Sequence, residues 1–170
     1  STGTPFTIFQ DIEKKSRVSA ELIYYNEKLG YRVGKPMIFL RSLTEKTRKS
    51  RLKQFIQNLS LINVSSLDDE SINMLLKQIE QLSIHGAVLM SYASTLDIFK
   101  DYFNRTNRKY TFNINGIISG SEMLYDDTRE KMEEVFNCKC ISRYSNQENG
   151  IIGQDWLYNN SFIINEANYV

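Results

Sequence analysis

Three short segments of the sequence carry side chains that could bind a ligand together. They consist of Ser91, Tyr92, Ala93 and Ser94, then Ser119, Gly120, Ser121 and Glu122, and finally Tyr144, Ser145, Asn146, Gln147 and Glu148. An aromatic ring such as that of Tyr144 can stack on a base, and glycine allows a flat ring to lie against the backbone. Glu148 offers the hard carboxylate oxygen that magnesium binds. Helix caps and loop hydroxyls would explain any one segment alone, but the three together favour a nucleotide or acyl site.

The first residues form a fourth candidate segment, composed of Ser1, Thr2, Gly3 and Thr4, with Pro5 after them. Backbone N–H groups and hydroxyls in such a loop can wrap a polyphosphate. The same composition also occurs in plain hairpin turns, and no Gly-Lys-Ser or Gly-Lys-Thr signature accompanies it.

Short apolar runs that could position these segments are predicted to be strands. They cover residues 37–40, 61–64, 87–90, 114–118, 138–143 and 162–164, with an alternating stretch at 6–10. Runs of this length flanked by glycine or polar residues are typical of strands rather than helices. Residues 119–121 and 144–150, which follow two of these runs, are predicted to be turns.

Helices are predicted between the strands from caps and apolar spacing. The clearest apolar stripe is formed by Ile72, Leu75, Leu76, Ile79 and Leu82. The candidate caps along the chain are Asp11, Asp68 or Asp69, Ser94 with Asp97, and Asp126 or Asp127 with Glu130.

Strands that alternate with helices predict an α/β fold with a mostly parallel sheet and helices on both faces. The length of 170 residues suits one domain, spanning residues 1–170. In an open parallel sheet the carboxyl ends of the strands share one edge, where ligands bind. We therefore expect Gly120, Tyr144 and Glu148 to lie around a common crevice.

The composition argues against several classes of partner. Lys and Arg (21) nearly balance Asp and Glu (20), so we expect no nucleic-acid partner, and the basic stretch 46–53 suits a solvated helix face better than a phosphate site. No apolar run reaches the roughly 18 residues of a membrane span, which predicts a cytoplasmic protein without a membrane partner. Cys138 and Cys140 are predicted to be reduced thiols on a strand.

Together these segments resemble the adenylate-forming superfamily of acyl-CoA synthetases. Within it they are similar to the branch of phenylacetate-CoA ligases and capsular polysaccharide biosynthesis proteins. The stretch 1–5 resembles the back half of that family's Ser/Thr/Gly-rich phosphate loop. Residues 118–124 and the Thr-Arg-Glu-containing helix after them are similar to those of the branch. Residues 144–148 resemble the family's Tyr-Gly-x-x-Glu motif.

The resemblance implies a flavodoxin-like subdomain that binds ATP and magnesium. It implies activation of a small carboxylic acid to an acyl-adenylate and transfer of the acyl group to coenzyme A. The implied roles are adenine stacking for Tyr144, nucleotide contacts for Ser119, Gly120, Ser121, Glu122 and Ser145, an acyl-pocket wall for Ser91 and Tyr92, and the catalytic magnesium ion for Glu148.

The sequence also departs from that family. Ser145 stands where the motif has glycine, which affects the backbone geometry of the loop. The aspartate that binds the ribose and the lysine of the C-terminal domain would lie beyond Val170. We therefore expect a partial N-terminal domain of a longer ligase, inactive alone and prone to self-association through uncovered apolar faces. The alternative is a non-catalytic binding or assembly module that keeps the α/β core.

Overall fold

The fold is known from a computed structural model, which describes residues 9–43, 50–106, 108–146, 148–155 and 161–167. The strands are β1 (Met37–Arg41), β2 (Leu59–Asn63), β3 (Ala87–Tyr92), β4 (Ile114–Gly120), β5 (Lys139–Asn146), β6 (Gly150–Asp155) and β7 (Phe162–Ile164). The helices are α1 (Ile12–Glu27), α2 (Arg51–Ile56), α3 (Asp69–Leu82), α4 (Ala93–Arg105) and α5 (Asp126–Phe136).

The strands form a seven-stranded sheet in the order β2-β1-β3-β4-β5-β6-β7. Strands β1 to β5 pair in parallel, whereas β6 is antiparallel to both β5 and β7. The predicted α/β class with a mostly parallel sheet is confirmed.

The larger core lies between one face of the sheet and helices α3, α4 and α5. Ile72 and Leu76 of α3, Leu96 of α4 and Met132 of α5 are fully buried in this cluster. Burying each such side chain contributes on the order of 2 kcal/mol. The apolar spacing of these helices is therefore the sequence signal that places them against the sheet.

A smaller core lies on the opposite face, where α1 ends. Leu29 packs there with Val88, Ile118 and Ile141. The close approach depends on Gly116 of β4, because a Cβ at that position would lie 2.9 Å from the Cβ of Leu29. Helices therefore cover both faces of the sheet, as predicted, although unequally.

Two of the predicted helix caps are confirmed. Asp11 accepts a hydrogen bond of 2.6 Å from the backbone N–H of Lys14. Asp68 accepts bonds from the N–H groups of Glu70 and Ser71 at 3.1 and 2.9 Å. Each satisfies donors that the first helical turn would otherwise leave without partners.

The two predicted capping boxes are wrong. Helix α4 begins directly after β3 with Tyr92 at the N-cap, so Ser94 already lies inside the helix. Its neighbour Asp97 instead binds Lys100 and Thr128. The N-cap of α5 is Tyr125, whose side chain makes no capping bond. The predicted caps Ser94, Asp126 and Asp127 all lie inside their helices, because α4 begins at Ala93 and α5 begins at Asp126.

The predicted turns at 119–121 and 144–150 are also partly wrong. Ser119 and Gly120 are the last residues of β4, and β5 continues to Asn146. Backbone pairing explains both extensions, since Ser119 and Gly120 pair with Ser142 and Arg143. The second extension also pairs with β6, a strand that the sequence interpretation missed because glycines and polar residues interrupt its apolar pattern.

Two further predictions concern segments that the structure describes only in part. Phe9 and Gln10 are not in a strand, and the rest of the stretch 6–10 lies outside the described residues. Arg51 and Lys53 lie on an exposed short helix, while 46–49 are outside the described residues. Within the described part of the chain, no helix has the length and apolar character needed to cross a membrane.

Candidate functional site

A cavity of about 680 Å³ lies at the carboxyl ends of β4 and β5. It is lined by the turn after β4 (Ser121, Glu122, Met123, Leu124), by α5 (Asp126, Arg129), by β5 (Ser142, Arg143, Tyr144, Ser145) and by β6 and β7 (Asp155, Phe162, Ile164). Four predicted site residues, Ser121, Glu122, Tyr144 and Ser145, therefore lie around one space. The cavity lies away from the point where the strand order reverses, which is between β1 and β3.

Tyr144 is the aromatic residue that β5 brings to the cavity. Its side chain is 62% exposed, and the opposing residue on β6 is Gly153, which has no side chain to cover it. The register of the pairing between β5 and β6 shifts between Tyr144 and Ser145. The ring is thus available to stack on a flat ligand.

The backbone conformations of the two serines in the wall differ from what their sequence motifs suggest. Ser145, which stands in the place of a glycine, is not among the described non-glycine residues with positive φ, whereas Ser121 has a φ of 70°. The left-handed region is unfavourable for residues other than glycine and is enriched at functional sites. The strained position in this wall is therefore the turn after β4, not the motif position on β5.

Glu122 connects the cavity wall to α4. Its Oε2 accepts a hydrogen bond of 2.8 Å from the backbone N–H of Ser94. A carboxylate at a helix N-terminus satisfies an unpaired N–H group and interacts favourably with the helix dipole. In this arrangement Glu122 caps α4 from a different loop.

The cavity also contains an ion pair that sequence reasoning missed. Arg129 Nη2 lies 2.5 Å from Asp155 Oδ2, and its Nη1 donates a bond of 2.8 Å to the carbonyl of Cys140. The contact with Asp155 is an ion pair without the alignment of a hydrogen bond. The ion pair links α5 to β6 at the cavity wall. A buried charge on β6 was the one sequence signal that could have indicated it, and this strand was not predicted.

Four other predicted residues do not line the cavity. The hydroxyls of Ser91 and Ser119, which pair across β3 and β4, are buried without a hydrogen-bond partner. Tyr92 and Gly120 are the next residues in the same two strands and also pair. These four end the strands beside the cavity rather than in its wall.

Glu148 lies in the turn between β5 and β6, where it is exposed, and it is not among the residues that line the cavity. In the described residues, no group of three His, Cys, Asp or Glu side chains is arranged to hold a metal ion. Magnesium bound with nucleotide phosphates needs only one or two carboxylates from the protein, so Glu148 alone fits that mode of binding. Ser1, Thr2, Gly3 and Thr4 lie outside the described residues.

Comparison with known proteins identifies the fold. No protein-family model matches the chain, and no curated protein matches its sequence. Solved structures do match, including apo MatB from Rhodopseudomonas palustris, with 16% identity and a TM-score of 0.51 over 84% of this chain and 27% of MatB. The neighbours are adenylate-forming enzymes. This chain has the fold of part of such a ligase.

Two further neighbours support the same fold. An open conformation of 2-hydroxyisobutyryl-CoA ligase in complex with 2-HIB-AMP and CoA matches with 9% identity and a TM-score of 0.54, over 84% of this chain and 32% of the ligase. VinN matches with 13% identity and a TM-score of 0.53, over 81% of this chain and 33% of VinN. The chain thus spans about a third or less of the length of these ligases.

Proposed function

We propose that this protein is the nucleotide- and acyl-binding part of a cytoplasmic ligase that activates a carboxylic acid with ATP and passes the acyl group to coenzyme A. We favour the branch of phenylacetate-CoA ligases and capsular polysaccharide biosynthesis proteins, because residues 118–124 resemble that branch and residues 144–148 resemble the motif of the superfamily. The observation that carries the proposal is the cavity shared by Ser121, Glu122, Tyr144 and Ser145, in a fold that adenylate-forming enzymes also have.

In the proposed reaction the acid's carboxylate attacks the α-phosphorus of ATP, and pyrophosphate leaves. The resulting acyl-adenylate then reacts with the thiol of coenzyme A, which releases AMP. The residues of this chain bind and orient the reactants. Tyr144 stacks on the adenine, the small side chains of Ser121 and Ser145 leave room for the ring, and Leu124 and Ile164 give the cavity apolar walls.

Glu148 would hold magnesium, which neutralises charge that develops on the phosphates. Its place in the hairpin turn after β5 puts it at the same end of the strand as Tyr144. Ser91 and Tyr92 at the end of β3, and Ser119 and Gly120 at the end of β4, would bound the acyl and nucleotide groups from the neighbouring strands.

Calorimetry with AMP, ATP-magnesium and a nonhydrolysable acyl-adenylate analogue tests this function. Tyr144→Ala should weaken the binding of all three ligands by about tenfold or more, since stacking on a base is worth roughly 1–3 kcal/mol. Glu148→Ala should weaken the binding of ATP-magnesium but leave the binding of metal-free AMP unchanged. Tyr24→Ala provides the matched control, because this ring is also exposed, at 55%, but belongs to α1.

Absence of heat with all three ligands would contradict the proposal. The chain would then be better described as a non-catalytic binding or assembly module. Equal losses in Tyr144→Ala and Tyr24→Ala would also contradict it, because the cavity would then not be the site.

A further inference from the structure

Gly150 begins β6, two residues after Glu148, and helix α1 lies directly against it. A Cβ at Gly150 would lie 3.0 Å from Cγ2 and 3.4 Å from Cγ1 of Val18, and 3.5 Å from Oε2 of Glu21. The φ of Gly150, 85°, also lies in the left-handed region that favours glycine. The backbone of the hairpin formed by β5 and β6 is therefore in contact with side chains of α1.

The same helix is bound to this hairpin further along its length. Oδ1 of Asn26 accepts a hydrogen bond of 2.7 Å from Nη2 of Arg143. The carbonyl of Tyr25 accepts one of 3.3 Å from Nε2 of Gln154. All four of these residues are buried. They lie about two helical turns beyond Val18, so α1 contacts the hairpin both within its strands and next to its turn.

Glu148 is placed by the backbone of this hairpin turn. Both Glu148 and the neighbouring Asn149 are exposed. The N–H of Asn149 donates a hydrogen bond of 2.7 Å to Oδ1 of Asn146, and Asn146 pairs with Gly150 across the hairpin. Helix α1 therefore supports the turn through its contact with Gly150.

We propose that Val18 is a positioning residue, which holds the hairpin turn so that Glu148 stands where it would bind magnesium. The inference rests on the proposed function, because it uses the metal-binding role of Glu148. A group on a turn that is already ordered loses less conformational entropy when it binds a ligand. Removing the two methyl groups of Val18 leaves a gap next to Gly150, so the turn becomes more mobile and its binding of metal weaker.

Backbone order parameters from ¹⁵N NMR relaxation test this role without any nucleotide. In the unmodified protein the amide of Asn149 should be about as ordered as that of Ile117 in β4, with a value near ~0.85. In Val18→Ala the value at Asn149 should fall below about 0.6, whereas Ile117 should not change. Val18→Thr keeps two γ atoms and should behave as the unmodified protein does. Ile12→Ala is the control, because Ile12 also belongs to α1 but is 82% exposed.

Calorimetry measures the consequence for nucleotide binding. Val18→Ala should weaken the binding of ATP-magnesium by about fivefold, since the turn must then be ordered on binding. The binding of metal-free AMP should not change, because the bonds that Arg143 and Gln154 make to α1 remain in place.

Gly150→Ala should weaken the binding of ATP-magnesium further, by about tenfold or more, because the added methyl group meets Val18 and the positive φ becomes unfavourable. In the double variant with Val18→Ala this methyl group has room. The loss of affinity should therefore be smaller than the product of the two single losses.

Two results would overturn the inference. One is an order parameter of Asn149 that is not lowered in Val18→Ala. The other is an equal loss of ATP-magnesium and AMP binding in that variant, which would show that Val18 only stabilises the fold. The two proposals fail separately. If no nucleotide binds to the unmodified protein, the ligase function fails and the order parameters still decide whether Val18 holds the turn. If nucleotides bind but the order parameters do not change, only this inference fails.

Discussion

The carboxylate of Glu122, in the turn after β4, accepts a hydrogen bond of 2.8 Å from the backbone N–H of Ser94, in the first turn of α4. The bond joins the turn after β4 to the first turn of α4, and Glu122 also lines the cavity. The geometry of this wall therefore depends on how α4 begins.

Glu122→Ala should lower the free energy of unfolding by about 1 kcal/mol, the usual cost of losing a helix cap. Glu122→Gln should lower the free energy of unfolding by less, because the amide oxygen of glutamine can still accept the hydrogen bond. Urea denaturation measures both, and Glu134→Ala on the exposed side of α5 is the control. An unchanged stability in Glu122→Ala would show that the bond does not contribute.

Arg129→Met should lower the free energy of unfolding by more, about 3 kcal/mol. The substitution leaves the Asp155 carboxylate, whose side chain is 5% exposed, without its partner. Lys131→Met on the same helix is the matched control, since its partner Glu134 is 69% exposed and loss of the pair should cost no more than about 0.5 kcal/mol. Similar losses in the two variants would contradict a buried ion pair, and adding Asp155→Leu to Arg129→Met should restore stability.

Gly116→Ala should destabilise the fold by about 2 kcal/mol through overpacking. The new Cβ would lie 2.9 Å from the Cβ of Leu29 and 3.2 Å from its carbonyl oxygen, so the turn after α1 that carries Leu29 would have to move away from β4. Thermal unfolding measures the change. Gly120→Ala on the same strand is the control and should be near neutral, because its nearest contact is a flexible methionine methyl at 3.7 Å.

Lys100 should control how two aspartates titrate. Its Nζ lies 2.7 Å from Asp97 and 2.8 Å from Asp127, and hydrogen bonds from Lys100 hold the pKa of both carboxyls below the ordinary value. Their contribution to stability is present above the unfolded pKa of about 3.9 and is lost as pH falls through the lower folded values.

Lys100→Met should therefore raise both pKa values and reduce the loss of stability in acid, as carbon-detected NMR titration and acid unfolding can show. Lys77→Met, on the exposed surface of α3, should change neither. Unaltered titration of Asp97 and Asp127 in Lys100→Met would refute the role of Lys100.

The two thiols should resist alkylation in the folded protein. Burial raises the pKa of Cys138 to about 12 and also raises the pKa of the fully buried Cys140. At pH 8 nearly all of Cys138 is therefore in the thiol form. Iodoacetamide should label both residues in urea but neither in native buffer, as read by mass spectrometry.

The same shifts give a direction for alkaline stability. Above about pH 8.5 unfolded thiols lose protons that the native thiols keep, so the free energy of unfolding should fall as pH rises toward 12. Rapid native labelling, or stability that does not change over this range, would contradict the desolvation of the two thiols.

The sequence by itself determined the parts of this protein that depend on neighbours a few residues apart. The apolar stripe of α3 and its cap at Asp68 follow from helical periodicity and from a side chain that reaches N–H groups two and three residues ahead. Alternation of short apolar runs with such helices was sufficient for the parallel sheet, and it placed Ser121 and Tyr144 at a common edge.

Only the tertiary structure decided which of these side chains share a cavity. Glu122 caps a helix 28 residues earlier in the chain, and Asp155 pairs with Arg129 of α5 from a strand without an apolar signature. Strand register sets both contacts, as it sets the pairing of Gly120 with Arg143. Register depends on the packing of whole strands and helices together, so no local pattern of residues could have revealed it.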